Sequence, residues 1–172
     1  METQERAGIL KELAAGRDAF LDALRGLPEG LAAISPGPGR WSAIECVEHV
    51  AVAEDFLLTE IRRAERSGAP NVNQKREAAI LARGADRSKP LVSPEVARPA
   101  GRHATLADAV AGFLTTREQT VRFVETCDED LRSKPMTHPL MGTINCHEAL
   151  LLIAVHPRRH AGQILEIGAA LG

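Results

Sequence analysis

His156 and His160 stand four residues apart, so on a helix they lie one turn above each other on a single face. That face also carries Ala149, Leu152, Ile153, Ile164 and Ile167, which turns it toward a protein interior. His49 belongs to a second apolar pattern, with Val52, Ala53 and Phe56 at its i+3, i+4 and i+7 positions. Three imidazoles directed inward from two helices make a ligand set for a divalent cation. The plainer alternative for each is a hydrogen-bonded core histidine. Burying imidazoles without partners costs about 1–3 kcal/mol each, and one cation would satisfy all three. Only neutral imidazoles ligate, so such a site competes with protons as the pH falls through about 6.5.

Several neighbours could support that chemistry. Gln163, three past His160, is placed to hydrogen-bond a ligand ring or a bound water, or else is a polar residue near a helix end. Glu45, one turn before His49, could orient an imidazole or act as a base, although a capping role accounts for it fully. Trp41 reads as a staple at the mouth of the helices, with a substrate wall as its second role. His138 precedes Pro139 in a turn and either caps that turn or approaches the site. Cys46 is three before His49 and is either a soft fourth ligand, which would close the site, or an inert buried thiol. His147 falls on the opposite side of its helix from His156, and His103 falls in a connection, so neither is a candidate ligand. No nucleophile elbow, phosphate loop or dinucleotide fingerprint occurs.

Four helices must position these side chains. The first carries Ile9, Leu13, Gly16, Phe20, Leu24 and Leu27 as one stripe and stops at Pro28. The second opens on Ser42 with Glu45 as a capping box and runs to about Arg66. Between Asn71 and His103 a short helix over Gln74–Arg83 is possible, while Pro90, Pro94 and Pro99 keep the rest irregular. A connection this long inside a compact domain is often functional. The third helix starts from the N-cap Thr105 and ends before Cys127. The fourth runs from about Thr143 to Leu171 and is the most buried, being apolar on all sides from Ala149 to Val155. Pro157, directly after His156, should kink this helix and free the Ile153 carbonyl while leaving both histidines inward. No segment alternates as a strand would. The expected fold is all-α: an up-down four-helix bundle in one domain, with a long connection between helices 2 and 3.

Composition narrows the function. Lys+Arg number 21 against 23 Asp+Glu, so no basic excess holds nucleic acid, and 3% aromatic residues offer no stacking platform. The longest apolar run, Ala149 to Val155, is far short of the roughly 20 residues a membrane span needs. The segment Met1–Arg6 lacks a signal-peptide pattern, and three cysteines without framework spacing read as reduced thiols; the expected location is the cytoplasm.

The pattern resembles the DinB-like (YfiT-type) superfamily of helical bundles. The resemblance lies in Arg40-Trp41-Ser42, in Glu45 to Ala51, in the turn His138 to Thr143, and in His156 to Ile164 with its H…H-x3-H-x2-Q arrangement. It implies nickel, zinc, iron or manganese held by His49, His156 and His160 with water completing the shell. It further implies a small-molecule substrate, a possible homodimer, and either a metal-dependent hydrolase or a transferase using a low-molecular-weight thiol such as bacillithiol or mycothiol. The competing class is a non-catalytic, metal-stabilised bundle that binds a small molecule or a protein partner.

Overall fold

The computed structural model describes residues 1–89 and 91–172. Four long helices form the bundle: α1 (Thr3–Arg25), α2 (Ala43–Arg63), α4 (Leu106–Thr126) and α5 (Cys146–Leu171). A shorter helix, α3 (Gln74–Arg83), lies in the long connection and packs on α5. Pro90, one of the prolines expected to keep that connection irregular, lies outside the described residues.

The helix starts follow their capping chemistry. Ser42 accepts from the Glu45 amide while Glu45 accepts from the Ser42 amide, the capping box expected for α2. Thr105 caps α4 by accepting from the Asp108 amide. The last helix begins three residues later than expected, because Asn145 and Glu148 form its capping box. Residues 143–145 belong instead to a strand. Two four-residue strands, β1 (Pro135–His138) and β2 (Gly142–Asn145), pair antiparallel. This corrects the expectation of no strands. The turn between them takes Gly142 at φ +69°, a left-handed conformation that suits glycine.

α1 packs against α4 and α5, and so does α2. The contacts also fix direction. Arg6 reaches Val124 and Phe20 meets Phe113, so α1 and α4 are antiparallel. His49 meets His156 and Ile61 meets Cys146, so α2 and α5 are antiparallel too. Glu54 meets Thr120 and Arg62 lies over Phe123, so α2 and α4 run the same way. The up-down alternation therefore holds within the first pair and the last pair. Between α2 and α4 the long connection returns the chain to the starting end, which is what a parallel pair requires.

The interior is in two apolar halves. One gathers Ile9, Leu13, Leu57, Ile61, Val124, Leu150 and Ile153; the other gathers Phe20, Leu24, Val47, Val50, Phe113, Ile164 and Ile167. Between them runs a polar seam holding Glu54, Arg117, Thr120 and the stretch of α5 that includes Pro157. Pro157 has no amide hydrogen, so the Ile153 carbonyl loses its helical partner. Arg117 replaces it, donating from Nη2 over 3.2 Å. The proline thus sits inside a helix that continues to Leu171.

Gly16 is where α1 crosses this seam. A Cβ there would collide with the Ala154 carbonyl oxygen and approach Pro157 Cδ. Gly16→Ala is therefore expected to destabilise by about 1–3 kcal/mol through overpacking. Gly8→Ala, in the same helix where a Cβ meets nothing within 4 Å, should be neutral or gain up to about 1 kcal/mol from helix propensity. Thermal unfolding of the two variants checks this; equal melting shifts would contradict the close approach.

Candidate metal centre

His49 from α2 and His156 and His160 from α5 come together at the edge of the seam. One ring nitrogen of each lies within 4.8 Å of the other two. His156 Nε2 is 3.2 Å from His49 Nε2 and 3.0 Å from His160 Nε2. Two nitrogens each about 2.1 Å from one ion, at about 90–110° to each other, are about 3.0–3.4 Å apart. The observed spacings match.

Proton counting points the same way. His49 Nδ1 lies 2.6 Å from the Ala97 carbonyl oxygen, which can only accept, so Nδ1 carries the proton and Nε2 presents a bare lone pair. A proton on His156 Nε2 satisfies His49 but not both neighbours. A proton on His160 Nε2 satisfies His156 and leaves the lone pairs of His49 and His156 face to face. Neutral imidazoles cannot satisfy both contacts, whereas a cation satisfies them together. The residues present fit a divalent metal.

The electrostatics keep the rings in the ligating form. Burial pushes His49 below the ordinary imidazole range against the opposing Ala97 hydrogen bond. Burial, then the neighbouring His49 and the charges of Arg159 and Arg117, push His156 down to about 3. His160 is driven well below the ordinary value by burial and by His156 and His49, with Gln163 opposing.

This has a consequence for metal-free protein. The unfolded chain takes up protons at these histidines below about pH 6.5, while the folded chain resists doing so. Stability is therefore full above that pH and is lost as the pH falls, by up to about 1.4 kcal/mol per pH unit for each histidine. Chelated protein should show a falling melting temperature between about pH 7.5 and about pH 5, and a triple His→Gln variant at 49, 156 and 160 a flatter one. His138 and His147, also held low by burial, titrate equally in both proteins and cancel. Identical slopes would contradict the assignment.

The other residues singled out by the sequence fall into place unevenly. Trp41 stacks near the rings, its centroid 4.7 Å from that of His49 and 6.5 Å from that of His160. It walls the site while also packing on the apolar half that holds Phe20. The Gln163 oxygen accepts from Arg87 at 3.4 Å. The Glu45 carboxylate is engaged in the cap of α2. His138 Nδ1 accepts from the Leu140 and Met141 amides and caps the hairpin turn, yet it is near enough to act electrostatically on His156. Cys46 is fully buried, its thiol pushed up to about 12 by burial, and it does not join the ligand group. His147 lies elsewhere, among Glu5, Glu77 and Arg132. Among the described residues no fourth protein ligand completes the cluster.

Sequence reasoning missed the partners supplied from a distance. Ala97 contributes only a backbone oxygen, which leaves no trace in residue type. Glu48 beside His49 is 1% exposed, and its place between apolar residues of α2 was the one legible hint.

A helical bundle with an inward three-histidine cluster on its second and last helices defines a class of candidate metal proteins. The chain belongs to the DinB superfamily, whose family model matches residues 12–164. Two solved structures share the fold. TT2238, described as a four-helix bundle protein, is 20% identical with a TM-score of 0.57, covering 94% of this chain and 95% of its own. YfiT from Bacillus subtilis, described as a probable metal-dependent hydrolase with an unusual four-helix bundle topology, is 14% identical with a TM-score of 0.58, covering 98% of this chain and 89% of its own. No curated protein matches the chain. No helix among the described residues is long and apolar enough to cross a membrane.

Proposed function

We propose that this protein is a metal-dependent enzyme in which His49, His156 and His160 hold one divalent cation, drawn from nickel, zinc, iron and manganese, and act on a small-molecule substrate. The observation that carries this reading is the convergence of three Nε2 atoms with no fourth protein ligand among the described residues. A cation with three neutral ligands keeps its full charge and open positions, and so lowers the pKa of a bound water or thiol.

The chain's own groups do the rest. Ala97 holds His49 in the ligating tautomer, burial keeps all three rings neutral, and Trp41 walls one side of the site. Cys46 is the thiol nearest in sequence to His49, and burial holds it protonated. The attacking nucleophile therefore comes from outside: water in a hydrolase, or a low-molecular-weight thiol in an S-transferase. The description of YfiT as a probable metal-dependent hydrolase favours water.

A panel of esters, amides and thiol–electrophile pairs, run with metal-loaded and chelated protein, tests the proposal. Turnover that disappears with chelator and returns with metal is the expected result. Solvent oxygen in the product identifies the hydrolase, and stoichiometric loss of free thiol the transferase. Full metal occupancy with no turnover across the panel would move the reading to a metal-stabilised binding module.

The three unpaired cysteines suit a reducing compartment, and we place the protein in the cytoplasm with no nucleic-acid partner. A homodimer is the proposed assembly, and light scattering that returns the 18.5 kDa chain mass would reject it.

A further inference from the structure

Glu48 precedes His49 on α2, about 100° further round the helix. Its carboxylate is 1% exposed and takes four hydrogen bonds from one short stretch of the long connection. The Ala100 amide donates at 2.7 Å, the Gly101 and Arg102 amides at 3.1 Å each, and Arg102 Nη1 at 2.6 Å. Three residues earlier in the same stretch, Ala97 closes a single helical turn from Pro94 and presents its carbonyl to His49 Nδ1. Adjacent residues of α2 thus grip one loop at two points, one through its amides and one through a carbonyl. The Glu95–Ala97 turn also packs on α2 through the buried Ala97 and is closed by the Ala97 and Arg98 amides on Pro94 and Glu95, but the Glu48 carboxylate supplies the charged hydrogen bonds that tie this stretch to α2.

We propose that Glu48 is a positioning residue for the metal centre: by clamping the Ala100–Arg102 backbone it holds the Ala97 carbonyl where it fixes His49 with Nδ1 protonated and Nε2 bare. The function of that clamp rests on the three-histidine reading. The fixing of the tautomer does not, since it is a property of the metal-free chain. A ring free to flip would spend part of its time with a proton on Nε2, and that fraction cannot ligate. Groups one step behind a ligand typically change metal affinity by about 10–100-fold.

The test reads the imidazole nitrogens of metal-free, nitrogen-15-labelled protein by long-range proton–nitrogen spectra. Wild type should show His49 as the Nδ1–H form. Glu48→Gln, which keeps the shape but turns an amide group toward the loop N–H donors, should move a substantial fraction to the Nε2–H form. It should also weaken zinc binding by about 10–100-fold. Arg102→Ala leaves the three amide bonds and should preserve the tautomer. A folded Glu48→Gln protein with wild-type His49 signals and zinc affinity within twofold of wild type would overturn the proposal, as would a wild-type ring already in the Nε2–H form.

If Glu48→Gln does not fold, amide exchange in the wild-type protein decides. Coupling is reciprocal, so zinc at His49 should slow exchange at Ala100, Gly101 and Arg102 at least threefold. Unchanged exchange there would overturn the clamp. A wild-type protein that takes up no zinc yet shows the Glu48-dependent tautomer would refute the metal reading and leave the clamp standing.

Discussion

Removing two of the three imidazoles, as in His49→Ala with His160→Ala, is expected to abolish stoichiometric metal binding, and His160→Ala alone to weaken it at least about 100-fold, beyond the loss usual for supporting groups. The reason is geometric. His156 Nε2 is the hub, 3.2 Å from one partner nitrogen and 3.0 Å from the other. Loss of either spoke leaves two protein ligands with no replacement among the described residues. Cys46 cannot substitute cheaply, because burial holds its thiol protonated. His147→Ala, which disturbs an unrelated network with Glu5 and Arg132, should leave metal content unchanged. Metal analysis after dialysis, with a competitive titration, measures all of these. Equal metal content in wild type and the double variant would remove the site.

The largest loss of stability is expected from Arg117→Met. Arg117 and Glu54 pair at 2.9 Å with side chains 3% and 2% exposed, in the seam between the two apolar halves. The same guanidinium donates to the Leu13 and Ile153 carbonyls, and Thr120 donates to Glu54 at 2.7 Å. Truncation strands a buried carboxylate and the Ile153 carbonyl, which Pro157 leaves without a helical partner, while the Leu13 carbonyl keeps its helical bond in α1. Breaking such a pair from one side costs about 3–5 kcal/mol, which in a chain of this length lowers the melting temperature by on the order of 10 °C. Adding Glu54→Leu should recover part of the loss, because a well-packed apolar pair can match a buried ion pair. The Ile153 carbonyl would still lack its partner, so recovery should stay incomplete. A single-variant loss below about 1 kcal/mol would show that water already shares this seam.

Much of this protein is legible in its sequence because helix formation and amphipathic patterning are local. The apolar recurrence from Ile9 to Leu24 marks the buried stripe of α1, and Ser42 with Glu45 marks the start of α2. The i, i+4 spacing of His156 and His160, with His49 on another inward face, marks the three residues that converge. Pro157 by its chemistry alone marks a free carbonyl at Ile153, since no proline can donate to the residue four before it. Strands of four residues are too short for a period of two to register, so the β1–β2 hairpin shows in the sequence only as its turn. Helix direction is equally hidden, since an amphipathic stripe packs as well parallel as antiparallel. Only the path of the long connection makes α2 and α4 run the same way. Tertiary structure alone chose the partners that act across long stretches of chain: Arg117 for the Ile153 carbonyl, Glu54 for Arg117, and the Ala97 oxygen for His49. The reason is chemical. Every residue carries the same carbonyl, so which one meets a ring is decided by where the backbone passes, and residue type does not record it.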